Sequence, residues 1–586
     1  MRLSDSRLCS RSASTFGFAL LALGLALAGC APGSGPAQQG GASANVASAP
    51  GPKTLNIGEI LPQEPKEGII RFEAIGATRQ EFMHTFHTGL TVYDGEGNLV
   101  PRIAQKVPTV ENGDWKVLPD GQMEVTWKLR PNVKWHDGTL AGAEDFALGV
   151  KVIQDLEFPM TRSDWARLIS TVEAPDPSTL VVRWKQPYLY GNASGPNDIP
   201  ALPRHLLGDL YQAGDKSAFF NSSLWTREFV GLGPYRLTEW VEGSRMEGMA
   251  FDDYFLGRPK IDRIIFRYTG DANVLVLSLL SGAFDMTAMG NLSIPQLNQI
   301  KEAWEPTGAG TTFLTYSGTR SYSFQLRNAD APWGDVRVRR ALAHMLDRQG
   351  LVDALSGPLV SVADTFVAPT DPIYRMLEQR GFTRYPYDPA RAERLMADAG
   401  WPRAAGGAFQ STGGKPFALD VTFSDSPENT TEATAVAGQW KSAGVADLTF
   451  SPIPNEATTA IKNEMRHTFA GVQGTQTRDD IRGMTYTTSQ MGTADNRYTG
   501  GNRGGYSNPE FDRLYDRALI TLDVGQRQGL IADFLKLIAD DVPMINIFYD
   551  PGQSTGAVRK GIRGPGGGTS LQLNVSAWNI HEWDVD

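Results

Sequence analysis

The chain is expected to be an α/β protein of two lobes or more, on three observations. Strand-like runs alternate with capped, amphipathic helical segments along almost the whole length. The stretch from Lys53 to Asp586 is longer than one hydrophobic core usually supports. Hydrophobic residues make up 41% of the chain, 13 tryptophans among them, which is ample material for more than one core.

The first 52 residues read differently. Arg2, Arg7 and Arg11 precede an apolar run from Phe16 to Ala28. That run is shorter than the ~20 residues of a membrane span and fits the apolar region of a secretory signal. Ala28 and Gly29 then precede Cys30, and Leu25-Ala26-Leu27-Ala28-Gly29-Cys30 resembles a bacterial lipoprotein box. The resemblance implies a signal at 1–29 and a mature chain that begins at an acylated Cys30. Cys9 falls within the signal, so Cys30 is the one cysteine left, and no disulfide or cysteine-based metal site is expected. From Ala31 to Pro52 the composition is mainly Ala, Gly, Ser, Pro, Gln and Asn, too poor in apolar groups to offset the entropy of ordering. Residues 30–52 therefore read as a lipidated flexible tether that holds the rest in the cell envelope, facing the periplasm or the exterior. Ala31 stands where an aspartate would cue retention at the inner membrane.

The net charge of −10, without long runs of one sign, argues against a nucleic-acid partner. Beyond the signal no apolar run approaches ~18 residues.

In order, Thr54–Ile60 reads as a strand, followed by a loop forced by Pro62 and Pro65. Thr78–Thr88 has helical character, and Asp94-Gly95-Glu96-Gly97-Asn98 supplies turn chemistry for a hairpin. Glu124–Arg130 alternates plainly, Val125, Trp127 and Leu129 sharing one face. A helix carries Ala143–Phe146, and Leu180–Trp184 alternates again. Asp335 can cap a helix that places Val338, Ala341, Leu342, Met345 and Leu346 on one side. Asp388-Pro389 opens another helix that Gly400 closes, and Asn508-Pro509 starts a third. Leu530, Ile531, Phe534, Leu535 and Ile538 line a last helix before the strand-like Val542–Tyr549.

The segment Trp127–Phe146, with Gly231-Leu232-Gly233-Pro234-Tyr235, Leu279–Met286 and Asp335–Asp347 in that order, resembles family 5 of the extracellular solute-binding proteins, the peptide/nickel class. These are the ligand-capturing subunits of ABC importers. The resemblance implies a two-lobed clamp of the periplasmic-binding-protein type II, in the large class with an extra subdomain. Lobe one would span 53–316 with the subdomain at about 86–200, lobe two 317–542, and 543–586 would return to lobe one. The crossings are expected near Thr315–Arg320 and Asp541–Phe548. It implies a monomer that is not an enzyme and that hands a small-molecule or peptide ligand to an ABC permease, a peptide or oligopeptide first. An oligosaccharide or other organic solute, or a sensor or chaperone role without transport, stays open.

Peptide-binding relatives typically carry an acid after a strand of lobe two. Aligned on Gly471 and Gly474, that position here is Thr475, and Val472 stands where an aromatic is usual. Asp479 and Asp480 can answer an amine from a displaced position, with Arg478 answering a carboxylate; the alternative is that all three are solvated loop charges. Gln473, Thr475 and Gln476 suit an uncharged polar ligand. In lobe one, Met289 and Asn291 follow a strand and are expected to face the cleft.

No assembled catalytic constellation, phosphate loop or zinc-protease motif is present. Glu81, His84 and His87 share a helical stretch, yet packed or surface histidines are the commoner outcome, so no metal and no cofactor is expected. His136 lies inside the family signature and reads as architectural.

Overall fold

The computed structural model describes residues 51–586 apart from 61–63, 65–76, 96–97, 156–163, 196–197, 315–317, 328–329, 370, 426, 455–467, 474–485, 494–501, 503, 551–554 and 566–575. Cys30 and nearly all of the tether lie outside the described residues.

The first strand, β1 (Thr54–Ile60), forms where the sequence places it. The helix Ala77–Phe86 then leads into a subdomain. Its hairpin pairs β2 (Thr91–Tyr93) with β3 (Leu99–Pro101), and Asp94 N–H donates to Asn98 O at 2.9 Å across the turn. Four more strands, β4 (Trp115–Val117), β5 (Met123–Lys128), β6 (Ile169–Asp176) and β7 (Thr179–Trp184), make an antiparallel sheet in the order β4-β5-β7-β6. The alternation read in β5 is what builds this core: Val125, Trp127 and Leu129 are buried with Trp135, Phe146, Leu180 and Val182.

The chain returns through β8 (Tyr235–Val241), β9 (Arg245–Ala250), β10 (Arg263–Thr269), β11 (Met286–Thr287) and β12 (Gly310–Leu314). It then builds β13 (Gly318–Phe324), β14 (Ala418–Ser424), β15 (Asp447–Ile453), β16 (Thr468–Gln473) and β17 (Met544–Asp550), and ends the main scaffold with β18 (Thr555–Arg559). Two mixed sheets result, β12-β18-β11-β1-β10-β9-β8 and β15-β14-β16-β13-β17. Each has its own core, around Leu55, Ile57, Phe82 and Phe266 in the first, and around Phe324, Leu342, Trp440 and Ile547 in the second.

One strand departs from expectation. The sequence alone assigns 543 onward to the return into lobe one, but β17 pairs with β13 in the second sheet, from Gly318↔Asp550 to Ser323↔Met544. The return therefore begins after Asp550. The physical reason is burial: every residue of β17 is buried, and its far side is closed by Ala363 N–H donating to Ile547 O and Tyr549 N–H donating to Ser361 O.

The helix Val336–His344 is capped by Asp335, whose Oδ1 accepts from Arg337 N–H at 2.8 Å, and it buries Val338, Ala341 and Leu342. Met345 and Leu346 lie just past its end and are buried with them.

Two of the motifs carrying the family resemblance meet in space. His136 Nδ1 accepts from Gly231 N–H at 3.2 Å, and its Nε2 lies 3.0 Å from Gly233 O. That pattern fixes the tautomer, with the proton on Nε2. His87 Nδ1 accepts from the intervening Leu232 N–H at 3.2 Å. Glycine is required in this turn because it presses on the end of the helix Ala77–Phe86. A Cβ on Gly231 would sit 1.9 Å from Phe86 O, and one on Gly233 2.4 Å from Phe86 C. His136 is thus an architectural clasp between subdomain and sheet.

Candidate ligand cleft

Strand direction locates the cleft. β1 runs parallel to β10 and β11, while β11 and β12 both run antiparallel to β18. The carboxyl ends Ile60, Thr269, Thr287 and Leu314 therefore share one edge of the first sheet. In the second sheet β14 runs parallel to β15 and β16, and β13 is antiparallel to both β16 and β17. Ser424, Ile453, Gln473 and Asp550 thus share an edge with Gly318. The chain crosses between the sheets at these same edges: Leu314 pairs with Thr555 on one side, and Gly318 with Asp550 on the other. Both sheets turn the carboxyl ends of their parallel strands toward the crossings, the place where open α/β sheets bind ligands.

On the first wall, Glu59 is fully buried near the end of β1. Burial pushes its carboxyl well above the usual range, offset only in part by hydrogen bonds from Asn291 and Ile60. Its Oε2 has no hydrogen-bond partner among the described residues. Asn291 accepts from Ile60 N–H at 3.4 Å and donates to Ala288 O at 3.1 Å. Met289 is 1% exposed. The loop carrying both is stitched to β18, since Gly290 N–H donates to Thr555 O at 2.8 Å and Thr555 Oγ1 to Leu292 O at 2.5 Å. Met289 and Asn291 are both buried in this loop, and Gly290 and Leu292 beside them make its bonds to the strand.

On the second wall, Arg320 stands just past the first crossing. Its Nε donates to Glu432 Oε2 at 2.7 Å and its Nη2 to Asn429 Oδ1 at 2.5 Å. Burial works to lower the Arg320 pKa, and the carboxylates of Glu432 and Asp550 more than reverse it, so the guanidinium is held charged. Gln473 ends β16 opposite Thr319 in the ladder, beside the crossing. Thr475, Gln476, Arg478, Asp479 and Asp480 lie outside the described residues.

The residues considered for a metal turn to separate partners: Glu81 Oε2 accepts from Ala577 N–H at 2.9 Å and His87 from Leu232. Burial lowers the pKa of His84 and of His87 to about 3, which keeps both neutral. Among the described residues no cluster of three or more His, Cys, Asp or Glu is placed to hold a metal ion.

Residues 98–497 match the family model for bacterial extracellular solute-binding proteins, family 5 Middle. The chain belongs to that family. This family 5 protein is 25% identical, over 346 residues, to an ABC transporter peptide-binding protein of Brucella ovis, and the match spans 58% of either chain. Among solved structures it resembles the oligopeptide-binding protein of Thermus thermophilus bound to a pentapeptide, with a TM-score of 0.69 and 23% identity over 91% of this chain and 96% of that one. It also resembles NikA of Brucella suis in complex with Fe(III)-EDTA, with a TM-score of 0.71 and 19% identity over 91% and 100%. At these identities the solved structures establish the two-lobed fold.

Two features of the candidate cleft escape a reading of the sequence. Glu59 looks like the polar position of an alternating strand, and only the lone acid between Gly58 and Ile60 hints at burial. Arg320 looks like an ordinary strand charge until Asn429 and Glu432, more than 100 positions away, are folded against it.

Proposed function

We propose that this chain captures a peptide or oligopeptide between its two lobes and delivers it to the permease of an ABC importer, held at the envelope by the lipid on Cys30. The observation that carries the reading is the pair of facing rims, both made of strand carboxyl ends and joined by two adjacent crossings. A ligand touching both rims binds the joined lobes better than the separated ones, so it shifts the population toward the closed state that a permease would recognise. The segment from Gln473 to Asp480 supplies the second-lobe contacts, with Asp479 and Asp480 for an amine and Arg478 for a carboxylate. Chemistry is not required of any residue, and the function is capture and release.

A second reading, a non-peptide organic solute, is favoured by Thr475 at the position where peptide-binding relatives carry an acid. A thermal-shift screen against peptides, oligosaccharides and metal chelates separates the two, because a ligand that binds only the folded clamp raises its melting temperature. Stabilisation by one of the other classes with no response to any peptide overturns the peptide assignment. Co-purification with a permease supports delivery, and its absence favours a sensing role.

A further inference from the structure

Where the helices Pro509–Ile520 and Val524–Asp541 of the second lobe meet, three apolar residues stand close together: Ile520 ends the first, Leu522 lies in the connection and Val524 opens the second. Ile520 and Val524 are each 49% exposed. Leu522 is half-buried and packs against the core of the first lobe's subdomain, the cluster around Val125, Trp127 and Trp135. Its backbone is held stiffly. Arg527, itself buried, donates from Nη1 to Thr521 O at 2.9 Å and to Leu522 O at 3.0 Å. Asp523 caps the next helix by accepting from Gln526 N–H at 2.7 Å, and Thr521 Oγ1 donates to Arg517 O at 2.6 Å. A short, well-tied turn thus offers one leucine to the opposite lobe.

Other apolar contacts between the lobes behave differently, because they sit beside the crossings. Ile294 packs on the second-sheet core and Leu359 on the first-lobe cluster of Leu275, Leu297 and Ile300. Ile294 follows the loop tied to Thr555, and Leu359 precedes the segment that covers β17. Leu522 meets a subdomain clasped to the opposite edge of the first sheet, through His136 and the turn Gly231–Pro234 that opens β8. From β18 to β8 is five ladder steps, or roughly 24 Å at the usual spacing. Rotation of the lobes by ~10° about the crossings would move the Leu522 contact by roughly 4 Å, enough to break it, while contacts beside the crossings shift far less.

We propose that Leu522 is an interlobe latch, an apolar contact formed only when the lobes meet, which raises the population of the joined state before any ligand arrives and so tightens apparent affinity for every ligand alike. The proposal rests on the clamp reading of the chain. It differs from that reading in being testable without ligand.

The test is small-angle X-ray scattering of the full chain carrying Cys30→Ser to prevent lipidation, free of ligand, with far-UV circular dichroism as the check on folding. Leu522→Glu should enlarge the radius of gyration and maximum dimension with an unchanged dichroism spectrum. Leu522→Ala should raise the ratio of separated to joined lobes by about fivefold, the equivalent of losing half of a leucine's burial. Ile520→Glu, two residues away on the same turn, should superimpose on the parent curve. A Leu522→Glu curve identical to the parent, or equal opening by Ile520→Glu, overturns the latch. If the glutamate variant does not fold, the alanine variant decides by the same criterion. A flat scattering result beside intact stabilisation by peptide defeats the latch and leaves the clamp reading standing.

Discussion

Acid should weaken this protein through His136 by an amount that can be worked out in advance. The imidazole is 4% exposed, accepts from Gly231 N–H and sits against Gly233 O. Burial lowers its pKa from 6.5 to about 4, the hydrogen bond to Gly233 and the charge of Asp137 opposing, the charge of Arg236 assisting. The folded pKa lies below the unfolded one, so the unfolded chain takes up the proton first. The contribution of neutral His136 is complete above pH 6.5 and drains away as pH falls toward 4. Between pH 7 and pH 5 the loss is roughly 2 kcal/mol, and by pH 4 about 3 kcal/mol. His84, His87 and His581 add losses of the same sign, and the raised carboxyl of Glu59 adds one of opposite sign. The total is therefore a poor measure of any one group, whereas the difference between the parent and His136→Gln isolates this one. Urea unfolding followed by tryptophan fluorescence at pH 7 and pH 5 provides it. His136→Gln should be the weaker protein at pH 7, because the clasp on Gly231 is altered, and should then lose roughly 2 kcal/mol less than the parent on acidification. Parallel losses in the two proteins would refute the reasoning.

Gly231→Ala should prevent stable folding of the first lobe or cut its unfolding midpoint sharply, since the new Cβ would lie 1.9 Å from Phe86 O; circular dichroism melts check it, with Gly270→Ala, which meets nothing within 4 Å and like Gly231 has no positive φ, as the reference for the loss of glycine alone. Arg320→Ala should destabilise the second lobe by roughly 3 kcal/mol because Glu432, whose pKa burial already raises, is left buried without the partner that opposes that rise. The pair Arg320→Met with Glu432→Leu should recover much of that in the same urea titration, and no recovery would mean that the arginine acts through something other than Glu432. Replacing Asp479 and Asp480 together by alanine should weaken binding of amine-bearing peptides by about tenfold in isothermal titration if they read the ligand's amine; unchanged affinity would return both to the role of solvated loop charges.

Local chemistry wrote much of this fold into the sequence. Asp335, Asp388 and Asn508 cap helices because a short polar side chain can reach the free N–H groups of the next turn. Val125, Trp127 and Leu129 share a face because strand geometry alternates. The turn Gly231–Pro234 and the segment through His136 were legible as landmarks, although nothing in their spacing says that they grip each other.

What tertiary structure alone decided are the pairings between distant parts of the chain. The apolar run before Phe548 reads as a strand, but whether it joins the first sheet or the second depends on which partner offers an open ladder, and that partner is β13, more than 200 residues earlier. Met289 and Asn291 read as residues of a loop after a strand, which is where a cleft residue belongs; only the tertiary structure shows that both are buried in this conformation and that Thr555, from the far end of the chain, binds Gly290 and Leu292 of the same loop. The sequence by itself determined the local elements and the family, because helix caps, strand alternation and signature motifs are short-range. Sheet membership, the buried pair of Arg320 and Glu432 and the reach of Leu522 across the lobes are long-range, set by which surfaces exclude water together once the chain has crossed twice.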